Sequence, residues 1–251
     1  NKDMSGNLTN SGAAFGAANN IKNSADIISL LMLQSGSKMI SDNGLGATFD
    51  RPIAIGGVNY SPGESALRFY TDFSNSKSTA YTWNDKLQNS FDAFNSGITA
   101  IVFDYAINVN RIKQRSPNMR FGLSAMPQLR AATKDVNFGD FWGYSVPMAS
   151  KNPETAWKFL VFLTTHDINR YFTNSIVRPS ARRDVLAEQQ SSPDLGVFAK
   201  SALSSTNWYR VDTVLIEGIF KDMINSVILR GEKPFEAVRE AALRVTFLMR
   251  K

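Results

Sequence analysis

The most restrictive feature of this chain is a short apolar run, Thr99-Ala100-Ile101-Val102-Phe103, closed by Gly97 on one side and Asp104 on the other. A run this short is too brief for a stable helix. It carries apolar side chains on alternate and adjacent positions alike, so it predicts a strand buried on both faces. Helical patterns flank it. Asp85 to Ser96 places Leu87, Phe91 and Phe94 on one face and stops at Gly97, and Ala106 to Arg115 follows. Further short strands fit Arg120 to Ala125, closed by Met126-Pro127, and Phe141 to Val146, closed by Pro147. Helices alternating with buried strands define an α/β class.

The rest of the chain is read from its start and stop signals. Asn23-Ser24 caps a helix carrying Ile27, Ile28, Leu31 and Leu33 that ends at Gly36. Ala47-Thr48-Phe49 reads as a short β stretch leading into a Gly56-Gly57 turn. Ser61-Pro62-Gly63-Glu64 sets a capping serine, a proline in the first turn and a glutamate behind it, after which Ala66, Phe69, Tyr70 and Phe73 share a face. Asn152-Pro153-Glu154 opens a helix with Ala156, Phe159, Leu160 and Leu163. The last third is helical over Ser180–Gln190, Leu195–Leu203 and Asp212–Arg230. Gly231 ends the last of these, and a final helix from Pro234 turns Phe235, Val238, Ala241, Ala242, Val245 and Leu248 inward.

Composition removes whole classes of chemistry. The chain has no cysteine and a single histidine, His166, which excludes disulfide frameworks, thiolate chemistry and imidazole-rich metal cages. No phosphate-binding glycine loop or nucleophile elbow is present. Neither a catalytic residue, a metal site nor a cofactor is expected. The 28 Lys and Arg against 22 Asp and Glu give +6, but the basic residues are scattered and the densest cluster, Arg178 to Arg183, holds three arginines. A nucleic-acid partner is therefore not expected. The longest dense apolar stretch, Ile27 to Leu33, is far short of the ~20 residues that span a bilayer.

Polar and aromatic residues gather where an α/β sheet would open. Asp104-Tyr105 lies at the carboxyl end of the 99–103 strand, and Asp140-Phe141-Trp142-Gly143-Tyr144 sits on another. Such strand ends line ligand crevices. Aromatic faces beside carboxylates and amides suit sugars, whose C–H faces pack on rings while their hydroxyls need paired donors and acceptors. Trp142 is as well placed for the core as for a ligand, Trp83 is better suited to the core, and Asn207-Trp208-Tyr209 reads either as a third wall or as a loop anchor.

Several segments, taken in order, resemble family 1 of the extracellular solute-binding proteins, the maltose-binding-like receptors of ABC importers. Phe94-Asn95-Ser96-Gly97-Ile98-Thr99-Ala100-Ile101 is similar to that family's Phe-x-x-Gly-x-x-Ala-Met segment, with Ile101 where Met is usual. Ser124-Ala125-Met126-Pro127 resembles its crossing between lobes. Gly143 to Pro147, followed by Ser150-Lys151-Asn152-Pro153-Glu154-Thr155-Ala156-Trp157-Lys158-Phe159, is similar to its Ser-Lys-Asn-x-Glu-x-Ala-Trp-x-Phe helix start. Arg178-Pro179-Ser180, the stretch Gly231 to Ala237, and Gly12 to Gly16 with Gln34-Ser35-Gly36 also fit.

The resemblance implies a type II periplasmic-binding-protein-like fold of two lobes, the second largely present and the first incomplete. Residues 1–125 and 207–251 would form the second lobe and 126–206 would contribute to the first, with hinges near Met126 and Thr206. It implies the carboxyl-terminal part of a longer extracytoplasmic receptor, periplasmic or anchored as a cell-surface lipoprotein, whose leader would lie upstream. It further implies a monomer that closes on a sugar or oligosaccharide and docks with ABC permease subunits, without catalysis. The candidate ligand contacts are Gln34, Asp104, Tyr105, Asp140, Trp142, Asn207 and Trp208; Ile107 stands where a stacking Trp is expected, with Tyr105 as its substitute. Two alternatives stay open: a polyamine or other cationic solute held by Asp104 and Asp140, and a glycoside hydrolase built on a carboxylate pair.

Overall fold

The structure is a computed structural model that describes residues 1, 3–4, 7–130 and 132–250. In chain order the elements are β1 (Ser11–Ala13), α1 (Ser24–Gln34), β2 (Ile53–Ile55), β3 (Val58–Tyr60), α2 (Pro62–Asp72), α3 (Ser90–Asn95), β4 (Thr99–Ile101) and α4 (Asn108–Arg115). There follow β5 (Asn137–Phe138), α5 (Pro153–Leu163), α6 (His166–Ser175), α7 (Arg183–Gln189), α8 (Gly196–Ala202), β6 (Ser205–Thr206), α9 (Thr213–Arg230) and α10 (Pro234–Met249). The mixture is α/β and helix-rich. Its contacts divide into two units: residues 1–104, 128–138 and 207–251 in one, and 105–127 and 139–206 in the other. The second includes 105–125, a stretch that the resemblance places with the first 104 residues, while 128–138, which the resemblance places within 126–206, clusters with the first unit.

The first unit is built on α1, α2, α9 and α10 around one apolar core. Ile28, Met32, Phe49, Leu67, Tyr70, Phe220, Ile224 and Val245 are its most deeply buried members. The proline at the start of α2 and of α10 has its missing N–H where a helix has no acceptor for it, which is why both helices begin there. β1 pairs in parallel with β4, Ser11 opposite Thr99 and Ala13 opposite Ile101. Among the described residues β4 pairs with β1 alone, and Ala100 and Ile101 are exposed, so the strand is not buried on both faces as its sequence suggests. Gly56 and Gly57 both adopt positive φ, 58° and 81°, the geometry that joins β2 to β3 in a two-residue hairpin. The expected strand at 47–49 is reduced to a bridge between Ile40 and Ala47.

The helix expected over 85–96 is cut to α3. Asn84 Oδ1 accepts from the Lys86 N–H at 2.9 Å in a turn ahead of the helix, and Asn89 caps α3, its Oδ1 accepting from the Phe91 N–H at 3.0 Å, so the helix starts at Ser90. Trp83 is fully buried, its indole donating to Asn20 Oδ1 at 2.9 Å, and belongs to the core. Phe69 and Phe235, placed on inner faces by periodicity, are exposed.

The second unit is largely helical, α4 to α8, with a small buried cluster of Ala106, Val109, Val177 and Leu195 against which Phe121, Leu123 and Phe198 pack. Neither 120–125 nor 141–146 belongs to a sheet among the described residues. A strand exists only through a hydrogen-bonded neighbour, and apolar sequence alone does not supply one. α6 is absent from the sequence expectations above, although Ile168, Tyr171 and Phe172 recur at the i, i+3, i+4 spacing of a helix face.

Candidate functional site

Four of the sequence-predicted residues fall in the first unit, and helix α1 organises them. Asn23 precedes α1 but does not cap it. Its side-chain amide donates instead to Asp104 Oδ1 at 3.0 Å and towards the Phe103 carbonyl at 3.5 Å, joining the start of α1 to the end of the β4 segment. The Asp104 side chain is only 8% exposed, and Lys22 Nζ lies 3.7 Å from its Oδ2. Lys22 also sits over the Phe91 ring at 5.5 Å. A carboxylate is thus held at the amino end of a helix, where the helix dipole favours negative charge, and is matched by one amide and one ammonium group.

Further along α1, Asp26 Oδ1 accepts from Arg210 Nη1 at 3.1 Å, and the Arg210 guanidinium covers the Phe138 ring at 5.6 Å. Gln34, the last residue of α1, donates from Nε2 to the Val136 carbonyl at 3.1 Å. Trp208 is 8% exposed, stacks on Phe220 at 5.7 Å and directs its indole N–H towards Ser29 Oγ at 3.4 Å. Its neighbour Asn207 is half-buried, and Asn207 Oδ1 accepts the Trp208 backbone N–H at 2.8 Å. Of the two sequence readings of this dipeptide, Trp208 has the surroundings of an anchor. Sequence reasoning missed Lys22, Asp26, Phe138 and Arg210 and saw Asn23 only as a cap. Nothing in the local pattern links residues so distant in the chain.

Three predicted residues fall in the second unit. Tyr105 is half-buried ahead of α4, its carbonyl accepting from the Asn108 N–H at 3.0 Å. Asp140 is exposed and its Oδ1 accepts from the Phe141 N–H at 3.0 Å. Trp142 is 86% exposed. The same unit carries a surface ionic cluster that the sequence did not announce. His166 Nδ1 lies 3.0 Å from Asp167 Oδ1 and Nε2 lies 2.9 Å from Glu188 Oε1. The hydrogen bond to Asp167, then that to Glu188, raises the imidazole pKa above its usual 6.5. A cavity of about 430 Å³ adjoins this cluster, lined by Val177, Glu188, Gln189, Ser192, Asp194 and Leu195 among others. No predicted site residue lines it.

Chemically, the assembled groups are suited to holding a polar solute by hydrogen bonds: amides, one guanidinium, carboxylates and aromatic faces. No group of three His, Cys, Asp or Glu side chains able to hold a metal occurs among the described residues.

Comparison with known proteins gives these groups a context. The profile of the family described as "Bacterial extracellular solute-binding protein" matches residues 9–199. The chain belongs to this family of extracytoplasmic binding proteins. A binding protein of Brucella abortus is 24% identical over 184 residues, which are 69% of this chain and 42% of that protein. The chain therefore spans less than half the length of the curated relatives it matches.

Among solved structures, an ABC transporter solute-binding protein of Thermotoga lettingae, bound with α-D-tagatose, superposes with a TM-score of 0.68 at 19% identity, covering 96% of this chain and 60% of that one. The sugar-binding protein of Xanthomonas citri gives 0.70 at 16% identity, covering 98% and 60%. A maltose/maltodextrin-binding domain of Bdellovibrio bacteriovorus, bound to maltotriose, gives 0.68 at 13%, covering 99% and 62%. The fold is that of the type II periplasmic-binding-like proteins, represented in part. The family and these neighbours are binding proteins rather than enzymes. No helix among the described residues is long and apolar enough to cross a membrane.

Proposed function

We propose that the protein to which these residues belong is the substrate-binding component of an ABC importer, taking a sugar or oligosaccharide into a cleft between two lobes that close about a hinge. In this reading it works as an extracytoplasmic monomer, anchored as a lipoprotein or free in the periplasm, and hands its ligand to permease subunits. The observation that carries the proposal is the Asp104 cluster at the carboxyl end of the β4 segment. There a carboxylate accepts a hydrogen bond from the Asn23 amide at 3.0 Å and has the Lys22 ammonium 3.7 Å away, the mixed donor and acceptor set that sugar hydroxyls require. Gln34 and Asn207 would add amides, Tyr105 and Trp142 aromatic faces and Asp140 a second carboxylate. Trp208 would hold the Asn207 loop from behind. The sugars bound by the Thermotoga and Bdellovibrio proteins support the same class of ligand.

A cationic solute is the competing reading, and the Lys22 ammonium beside Asp104 speaks against it, since it already supplies that carboxylate with positive charge. Calorimetric titration of the native-length protein with monosaccharides, maltooligosaccharides and spermidine separates the two. Sugar binding that is weakened about a hundredfold, and not abolished, by Asp104→Asn with Asp140→Asn is expected, each lost charge-assisted hydrogen bond being worth roughly 1.5 kcal/mol, the low end of the range, because an amide keeps part of the bonding. Spermidine binding that disappears in the same variant would replace the sugar reading with the polyamine one.

A further inference from the structure

Glycine follows asparagine once in this chain, at Asn43-Gly44, and follows aspartate nowhere. The pair sits in a tight turn whose base is the bridge between Ile40 and Ala47. The Ser41 N–H donates to the Gly46 carbonyl at 2.9 Å and the Gly44 N–H to the Ser41 carbonyl at 3.0 Å. Asn43 is exposed, and its side chain folds back on the main chain. Its Oδ1 accepts from the Leu45 N–H at 3.1 Å and from the Ser41 hydroxyl at 2.7 Å, a proton that the Gly46 carbonyl shares at 3.1 Å.

This arrangement favours a reaction within the turn. Gly44 has a φ of 69° and nothing lies within 4 Å of where a Cβ would stand, so no side chain shields its main-chain nitrogen. Releasing its one hydrogen bond at an exposed loop tip is a low-energy local opening. Once the Gly44 nitrogen has given its proton to water, it forms a bond to Asn43 Cγ, and the carbonyl electron pair moves onto Oδ1. Donors already aimed at Oδ1 stabilise that oxyanion. The Cγ–Nδ2 bond then breaks, ammonia leaves with a proton taken from water, and a succinimide ring remains. Water opens the ring at either carbonyl, giving aspartate or isoaspartate. Water is the only co-reactant, and nothing is oxidised or reduced.

Asn75 supplies the contrast within the same molecule. It is also exposed, and its Oδ1 also accepts an N–H from two residues on, that of Lys77 at 3.1 Å. Ser76 follows it, however, and places a side chain beside the nitrogen that would attack. The turn at 41–46 also has something to lose. At its base the Ala47 N–H donates to Thr246 Oγ1 in α10 at 2.9 Å, and Arg250 Nε reaches the Leu45 carbonyl at 3.5 Å.

We infer that Asn43 is a self-modification site, at which the turn converts to a mixture of aspartate and isoaspartate. The change adds a negative charge beside Asp42 and, in the isoaspartate form, a methylene to the main chain of the turn that fastens the end of α10. The inference does not depend on which solute the protein binds.

Peptide mapping of the folded, native-length protein during storage at neutral and mildly alkaline pH tests it. Asn43 should lose its amide roughly tenfold faster than Asn75, and faster still as pH rises, because the attacking nitrogen must first lose a proton. Hydroxylamine should cut between residues 43 and 44, and isoaspartyl methyltransferase should label the peptide that holds them. Asn43→Gln, in which the attack would have to close a larger ring, should stay unlabelled and keep its Tm on storage, while the stored parent loses stability. Equal rates at Asn43 and Asn75 would overturn the inference, as would a reaction seen only after unfolding in urea. Aspartate without isoaspartate would overturn it too, since direct hydrolysis bypasses the ring.

Discussion

Arg210 Nη1 donates to Asp26 Oδ1 at 3.1 Å, with the two side chains only 12% and 24% exposed, and the contact ties the return of the chain after residue 206 to helix α1. Arg210→Ala leaves a part-buried carboxylate without this partner. It should lower the stability of the protein by about 1–3 kcal/mol, because an abandoned polar group costs more than the pair contributes. Arg210→Met combined with Asp26→Asn should cost less than Arg210→Met alone. Urea unfolding measures both, and a single variant within experimental error of the parent would show that the pair contributes nothing to stability.

Gly63 in the first turn of α2 faces a backbone group rather than a side chain. A Cβ there would lie 2.1 Å from the Phe49 carbonyl oxygen, which cannot rotate away. Gly63→Ala is therefore expected to destabilise by about 1–3 kcal/mol or more through overpacking. Gly218, inside α9, has nothing within 4 Å of the same atom, and Gly218→Ala should stabilise by about 1 kcal/mol through helix propensity. Opposite shifts in Tm are the expected result; two shifts of the same sign would contradict the packing described.

Val177 has a φ of 52°, in the left-handed region, although it is β-branched and buried. It follows α6 and packs with Ala106, Val109 and Leu195. Left-handed backbone costs an L-residue roughly 1–2 kcal/mol, a penalty glycine does not carry. Val177→Gly should thus be more stable than Val177→Ala by about 1 kcal/mol, the reverse of the usual order. Denaturant midpoints of the two variants test this directly, and the usual order would mean that the strain is relieved in solution.

The His166 cluster should make stability depend on pH in a defined direction. The imidazole pKa is raised in the folded protein by hydrogen bonds to Asp167 and Glu188. Its contribution is therefore fully present below about 6.5, the ordinary histidine value, and is lost as pH rises through the elevated folded value. The difference in Tm between the parent and His166→Gln should be largest near pH 6, shrink towards pH 8, and diminish in high salt because the cluster lies at the surface. Asp184 works at the other end of the scale. The Arg182 guanidinium holds its carboxyl at about 2. Its contribution is present above the ordinary aspartate value and is lost as pH falls towards 2. A flat difference between parent and His166→Gln from pH 5.5 to 8 would contradict the assigned contacts.

What the sequence by itself determined are the features that act within a few residues. Proline at the first turn of α2, α5 and α10, the glycine pair of the β2–β3 hairpin and the 3.6-residue period of α10 are local signals, and each element formed close to where its signal lies. The family likeness in Phe94 to Ile101 and in Ser150 to Phe159 was legible for the same reason, since it rests on short stretches read in order. Only the tertiary structure decided what depends on distant neighbours. Asn23 turned from capping its own helix to holding Asp104, and Trp208 became a core residue against Phe220. The apolar runs at 120–125 and 141–146 did not become strands, because a strand is defined by a partner, and hydrophobic pattern specifies only that one is wanted.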